Sequence, residues 1–179
     1  MSGRYADAVQ GAIPLPRDQR PVTVERVGGN ATTDFGAPSA LIAADLAALT
    51  ARDVAALATV LECGWAAFDD AWRMVPARAR GAKPGVGRSP EAIRRHLLEA
   101  DALHLAGLGR PFRKIEVVTP AAEQRVREEI TAALHAVPLS VQESPTKRLG
   151  FTWTPRFVVR RAAWHAFDHA WELEDRVAA

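Results

Sequence analysis

The run AWHAFDHAWELEDR near the C-terminus carries two histidines, His165 and His169, four residues apart. At about 3.6 residues per helical turn, that spacing stacks both imidazoles on one helix face. The same stripe holds Val158, Ala162 and Leu173, so it should point inward rather than to water. Neutral imidazole binds zinc, nickel, copper or iron, and two on one face make half of a metal site. A catalytic centre of this type uses three protein ligands and keeps one position for water or substrate. The third ligand must come from another element, and His96 is the strongest candidate. It shares a helical stripe with Ala92, Ile93, Ala100, Leu103 and Gly107, where a histidine is expected to be buried and to need a polar partner. His104, beside Leu97 and Leu108, is the weaker candidate. His135 lies at a helix end, where it can meet the negative pole of the dipole. A helical HxxxH pair also arises by chance, and HAFDH lacks the glutamate that follows the first histidine of a zincin.

The residues around the pair suggest roles but do not fix them. Glu172 and Arg176 follow His169 by one and two turns, roughly on the ligand side. Glu172 could serve as a base or orient an imidazole, and Arg176 could hold a carboxylate. The plainer alternative for both is a surface ion pair at i,i+4. Asp168 points about 100° away from His169 and is expected to be structural. Cys63 is the single cysteine of the chain, which excludes an internal disulfide. Set in the run LECGWAAF, it reads as a small core residue rather than a nucleophile.

These side chains have to be placed by helices. Thr50 with Asp53 three residues on has the form of a capping box, and the helix it opens runs to about Val75, before Pro76. Its stripe of Val54, Leu57, Leu61, Trp65, Phe68 and Trp72 reads as core. A second helix starts at Ser89-Pro90-Glu91 and runs to Leu105 or Gly107. A third spans about Ala121 to His135 and stops before Pro138, with Val126, Ile130, Ala133, Leu134 and Val137 inward. On that helix Glu123, Arg125, Arg127, Glu128 and Glu129 are expected to face water. A fourth runs from Pro155 to about Arg176. No strand-rich stretch competes, so the expected class is all-α. Residues 1–40, broken by Pro14, Pro16, Pro21, Gly28-Gly29-Asn30 and Pro38, read as an irregular arm ahead of a helical domain at 41–179. Within it VTVERV, residues 22–27, alternates like a short extended piece.

The bulk composition narrows the classes further. A chain of 179 residues is long enough for one domain with a real core. No apolar run approaches the roughly 20 residues needed to cross a membrane, and the N-terminus lacks a secretory pattern, so a cytoplasmic location is expected. Net charge is only +2, yet basic residues cluster. Arg73, Arg78, Arg80, Lys83, Arg88, Arg94 and Arg95 stand against the single acid Glu91, and Lys147, Arg148, Arg156, Arg160 and Arg161 have no acid among them. Such groups form either a solvated rim or a site mouth that attracts an anionic small molecule. Nucleic acid is a poorer fit, because no aromatic-interleaved motif or recognition helix accompanies them.

The stretch SPEAIRRHLLEADALHLAGLG resembles the second helix of the DinB/YfiT-like superfamily, and RRAAWHAFDHAWELEDR its last helix with HxxxH. The resemblance covers about residues 50–178, while the first 40 residues lie outside it. It implies a four-helix bundle, frequently dimeric, with a divalent cation, often zinc or nickel, held by His96, His165 and His169. Relatives in that superfamily include mycothiol- or bacillithiol-dependent S-transferases and a maleylpyruvate isomerase. The implied function is therefore metal-dependent transfer, isomerisation or hydrolysis of a small electrophile with a low-molecular-weight thiol. The alternative is a stress-response or metal-binding protein with no catalysis.

Overall fold

Three helices begin at a hydroxyl residue followed by proline, and a fourth at a threonine facing an aspartate. Thr50 Oγ1 accepts the Asp53 N–H at 3.1 Å, while the Asp53 carboxylate accepts the Thr50 N–H at 2.8 Å. Each group satisfies a donor that the first turn leaves without an intrahelical partner. The Thr50 hydroxyl and N–H, helped by the Arg156 guanidinium at 3.2 Å, hold the Asp53 carboxyl below the usual carboxylate range. Ser89 accepts from the Ala92 N–H at 3.2 Å, Thr119 from Ala122 at 3.1 Å and Thr154 from Phe157 at 3.3 Å. Proline suits the next position, because an N–H there would have no helical acceptor.

The fold, taken from a computed structural model, is described for residues 2–9, 11–13, 22–82, 87–111, 114–137, 139, 146–148 and 151–178. Pro14, Pro16, Pro21, Lys83 and Pro138 lie outside the described residues, as do the side chains of Lys147 and Arg148. The elements are α1 (Ser2–Val9), α2 (Ala31–Asp34), a 3-10 turn (Ala43–Leu46), α3 (Ala51–Met74), α4 (Ala77–Arg80), α5 (Pro90–Gly107) and α6 (Pro120–His135). A hairpin of β1 (Thr146–Arg148) and β2 (Phe151–Trp153) then leads into α7 (Pro155–Ala178). Its strands are antiparallel, with Thr146 opposite Trp153 and Arg148 opposite Phe151. The chain is thus mostly helical, as its periodicity implies. Among the described residues no helix is long and apolar enough to cross a membrane.

α3 and α7 pack against each other along much of their length. Their close approach rests on small residues: a Cβ on Gly64 would stand 3.3 Å from the Ala166 Cβ. Ala162, Ala163, Ala166 and Ala170 of α7 are all buried at this seam or beside it. α5 lies against both α6 and α7. Leu61, Phe68, Ile93, Ile130, Leu134, Phe167 and Leu173 fill one core between these helices. Three side-chain links fix the arrangement. Arg94 of α5 makes a bidentate pair with Glu123 of α6 at 2.6 and 2.5 Å. Arg127 of α6 does the same with Asp69 of α3 at 2.6 and 2.8 Å. The buried Trp65 Nε1–H donates to Asp101 of α5 at 3.0 Å.

Several sequence expectations need correction. Glu123 and Arg127 do not simply face water: each is half-buried in an ion pair, because an amphipathic pattern alone does not show where a neighbouring helix supplies an opposite charge. Trp72 is only partly buried, with its ring covered by the guanidiniums of Arg80 and Arg94 at 5.0 and 4.8 Å. The hairpin before α7 was not expected, and three-residue strands are too short to carry a legible alternation. The arm is not irregular throughout, since α1 sets Val9 in the core and Tyr5 edge-on against Trp171 and Phe167. Residues 22–27, expected as a short extended piece, form no helix and pair with no strand among the described residues, and Val22 and Val24 are exposed.

α5 ends where it meets the hairpin. A Cβ on Gly107 would fall 2.8 Å from Trp153 Cε3. Alanine normally favours a helix over glycine by about 1 kcal/mol. Here the overpacking of about 1–3 kcal/mol should outweigh that gain. Gly107→Ala is therefore expected to lower the midpoint of urea unfolding.

Candidate metal centre

α5 and α7 each contribute histidines to one patch of their shared boundary. α7 presents His165 and His169 from successive turns, on the stripe whose other members Val158, Ala162 and Leu173 are fully buried. α5 brings His96 opposite them. His165 Nε2 lies 3.1 Å from His96 Nε2 and 3.0 Å from His169 Nε2. The three ligand atoms all fall within 4.8 Å of one another. His169 is buried, whereas His96 and His165 are half-buried. The open side of the cluster faces a cavity of about 640 Å³ lined by all three imidazoles.

The electrostatics favour neutral, lone-pair-bearing rings. Burial, reinforced by His169, His104, His96 and Arg161, pushes His165 down to about 2. Burial, with Arg88 and His169, also lowers His96 below its ordinary value. His169 Nδ1 stands 2.8 Å from Glu172 Oε2. An ionised carboxylate only accepts, so in the neutral ring this contact places the proton on Nδ1 and the lone pair on Nε2. Lone pairs of three crowded nitrogens repel unless a proton or cation lies among them. Zinc–nitrogen bonds of about 2.0–2.1 Å would set tetrahedral ligands roughly 3.4 Å apart, close to the two separations seen here. The donor set thus fits a divalent cation: His96, His165 and His169 could hold one, with a fourth position toward the cavity.

The other sequence candidates take different places. Glu172 faces His169 Nδ1, on the ring edge away from the cluster, so it orients the imidazole rather than reaching the cavity. Arg176 donates to Glu172 and to the Arg88 carbonyl, and neither Glu172 nor Arg176 lines the cavity. The guanidinium proposed from sequence to hold a substrate carboxylate is thus engaged within the protein. Asp168, expected to be structural, stands among the cavity-lining residues, with burial raising its carboxyl above the ordinary value. His135 is exposed at the end of α6, away from the cluster. Cys63 is partly buried against the core, and burial raises its thiol, so it is not a nucleophile of this cavity.

The structure gives three features a place at the cavity: His104, the weaker candidate from sequence, Arg88 and Arg161 of the basic groups, and Phe35, which sequence reasoning missed. His104 is buried and lines the cavity, with its ring centroid 6.5 Å from that of His165. Its Nδ1 and Asp101 Oδ1 are 3.6 Å apart, and neither atom has a hydrogen-bond partner among the described residues. The Asp101–His104 spacing of three on one helix is the sequence signal that could have pointed to it. Arg88 and Arg161 reach the cavity, while Arg94, Arg156 and Arg160 of the same basic groups are tied to acids. Phe35, from the arm, lines it too.

Comparison of the chain with family models, curated proteins and solved structures gives no match.

Glu172 fixes the tautomer and rotation of His169, and losing such a partner typically weakens metal binding by about 10–100-fold. Glu172→Ala is expected to raise the zinc dissociation constant by that factor in competition with a chromophoric chelator, with Glu172→Gln falling between. Equal affinity in all three proteins would show that the carboxylate does not support the site.

Proposed function

We propose that the chain is a divalent-metal protein of the DinB/YfiT-like four-helix type, acting on a small electrophile with the help of an external thiol or water. The observation that carries the reading is the convergence of three imidazole Nε2 atoms, two pairs of them at 3.0 and 3.1 Å, on a cavity with room for a small molecule. Zinc and nickel are among the ions this donor set suits, and the family resemblance favours them. When bound, such an ion would lower the pKa of a thiol or water in its open position, so that a nucleophile exists near neutral pH. The chain's own part is to hold and orient. His96, His165 and His169 supply lone pairs, and Glu172 keeps His169 in the ligating tautomer. Arg88 and Arg161 favour an anionic substrate in the cavity. Among the described residues Arg161 has no carboxylate partner, so its charge is available there. Because Cys63 lies elsewhere, sulfur has to come from a low-molecular-weight thiol such as mycothiol or bacillithiol, the type used by relatives in the superfamily that the helix sequences resemble. A homodimer belongs to the same reading and is open to sedimentation analysis.

A second reading is favoured by the placement of the ligands. His96 is on α5 and the other two on α7, so a shared cation would also cross-link two helices. In that case the centre is structural and the protein a metal-binding or stress-response factor without catalysis.

Purified protein should contain about one equivalent of zinc or nickel by elemental analysis, and His165→Ala should contain almost none. Full metal in His165→Ala would sink the ligand assignment. Catalysis predicts metal-dependent transfer of a small thiol to an electrophile, whereas a structural role predicts a sharp fall in melting temperature on chelation and no thiol binding.

A further inference from the structure

The segment ahead of α3 is fastened over α7 by two arginines, Arg156 through the carbonyls of Ala47 and Ala48 and Arg160 further upstream. Arg160 Nε and Nη2 meet the two carboxylate oxygens of Asp45 at 3.1 and 2.5 Å. The same guanidinium donates to the carbonyls of Ala40 at 2.9 Å and Pro38 at 3.4 Å. Asp45 is only 3% exposed and also accepts the Ile42 N–H at 3.0 Å. Upstream, Asn30 caps α2 through the Thr32 N–H, and Ser39 Oγ–H donates back to Asn30 Oδ1 at 2.7 Å. Gly36, at φ +85°, turns the chain directly after Phe35, a conformation that favours glycine. The outcome is specific: Phe35 and Ala37 form part of the wall of the histidine cavity.

Ala37 is buried there, but Phe35 is 88% exposed. A large aromatic ring held in water at a cavity mouth, on a segment tied down on both sides, has no packing role of its own. Facing the same cavity is Trp164, whose indole stacks nearly parallel on His165 at 18°. Arg161, the neighbour of the anchoring Arg160, supplies positive charge to that space.

We propose that Phe35 is a specificity-determining residue of the histidine cavity, which together with Trp164 receives a flat aromatic group of the ligand while its acidic or metal-binding end meets the arginines and histidines. This rests on the reading of the cavity as a small-molecule site. The arm is then part of the site, not an appendage to a helical core. Phe35 is so exposed that Phe35→Ala disturbs no packing, and the variant should fold and load metal like the parent.

The test compares benzohydroxamate with acetohydroxamate on the zinc-loaded full chain by isothermal calorimetry. Both probes carry the same metal-binding end and differ by a phenyl ring. The parent should bind benzohydroxamate about tenfold more tightly. Phe35→Ala should reduce that ratio to about two- or threefold and leave acetohydroxamate affinity unchanged, and Phe35→Tyr should restore the ratio. Equal binding of the two probes by the parent, or a ratio unchanged in Phe35→Ala, would overturn the proposal. So would a change of oligomeric state in Phe35→Ala with the ratio intact, which would assign the ring to a contact between copies of the chain. Failure of the parent to load zinc would overturn the metal reading alone. The same ratio is then read with benzoate against acetate, which need only Arg88 and Arg161, and an unchanged ratio there overturns the role of Phe35.

Discussion

For His96 Nε2 to reach His165 Nε2 at 3.1 Å, α5 has to lie directly against α7, and everything else at this site follows from that contact. Imidazole is a short side chain, so a small displacement of either helix would separate the nitrogens. The position of α7 is set by the glycine–alanine seam with α3, where Gly64 and Ala166 leave no room for larger groups. The position of α5 is set from the other side, by Trp65 holding Asp101 and by Arg94 holding Glu123. Partly exposed ion pairs contribute little net stability, commonly about 0–1 kcal/mol. Bidentate pairs such as Arg94–Glu123 and Arg127–Asp69 are stronger than single contacts and also fix rotation and register.

The same packing determines the protonation of the cluster. Rings drawn out of water and placed beside one another resist taking up a proton, which is why His165 is held far below its ordinary value. A cation competes with protons for the same lone pairs, so lowering the basicity of the cluster favours the metal. Glu172 acts in the complementary way on the far edge of His169, by holding a proton where it does not block the ligand atom. Arg176 in turn neutralises Glu172 and ties it to the loop before α5.

How much of this was legible depended on range in sequence. The spacing of His165 and His169, the Thr50–Asp53 box and the hydroxyl-proline starts are local patterns, set by the helix repeat and by unpaired N–H groups in the first turn. They therefore predict the helices and the paired imidazoles directly. His96 was legible through its stripe, although it is half-buried rather than buried. The links that decide the cavity are not local. Arg160 meets Asp45 across 115 residues, and Trp65 meets Asp101 across 36, and no periodicity reports such pairs. Arg88 and Arg161 could be named only as members of basic groups, because composition does not distinguish a spent guanidinium from a free one.

Buried polar side chains show where the protein satisfies itself and where it does not. Asp45 is saturated by Arg160 and a backbone N–H, and Thr154 caps α7, so both are architectural. His169 is satisfied at Nδ1 and presents Nε2 to the cluster. Asp101 and His104 differ, because Trp65 occupies one carboxylate oxygen while the other oxygen and the facing Nδ1, 3.6 Å apart, have no hydrogen-bond partner among the described residues. Each unmet buried group costs about 1–3 kcal/mol, an expense a packed core normally avoids. That this deficit occurs on α5 beside the cavity, and not among Asp45 and Thr154, sets the histidine end of the molecule apart from its scaffold. An apolar side chain in place of His104 would remove its share of that deficit, so stability alone does not account for a fourth histidine beside the other three.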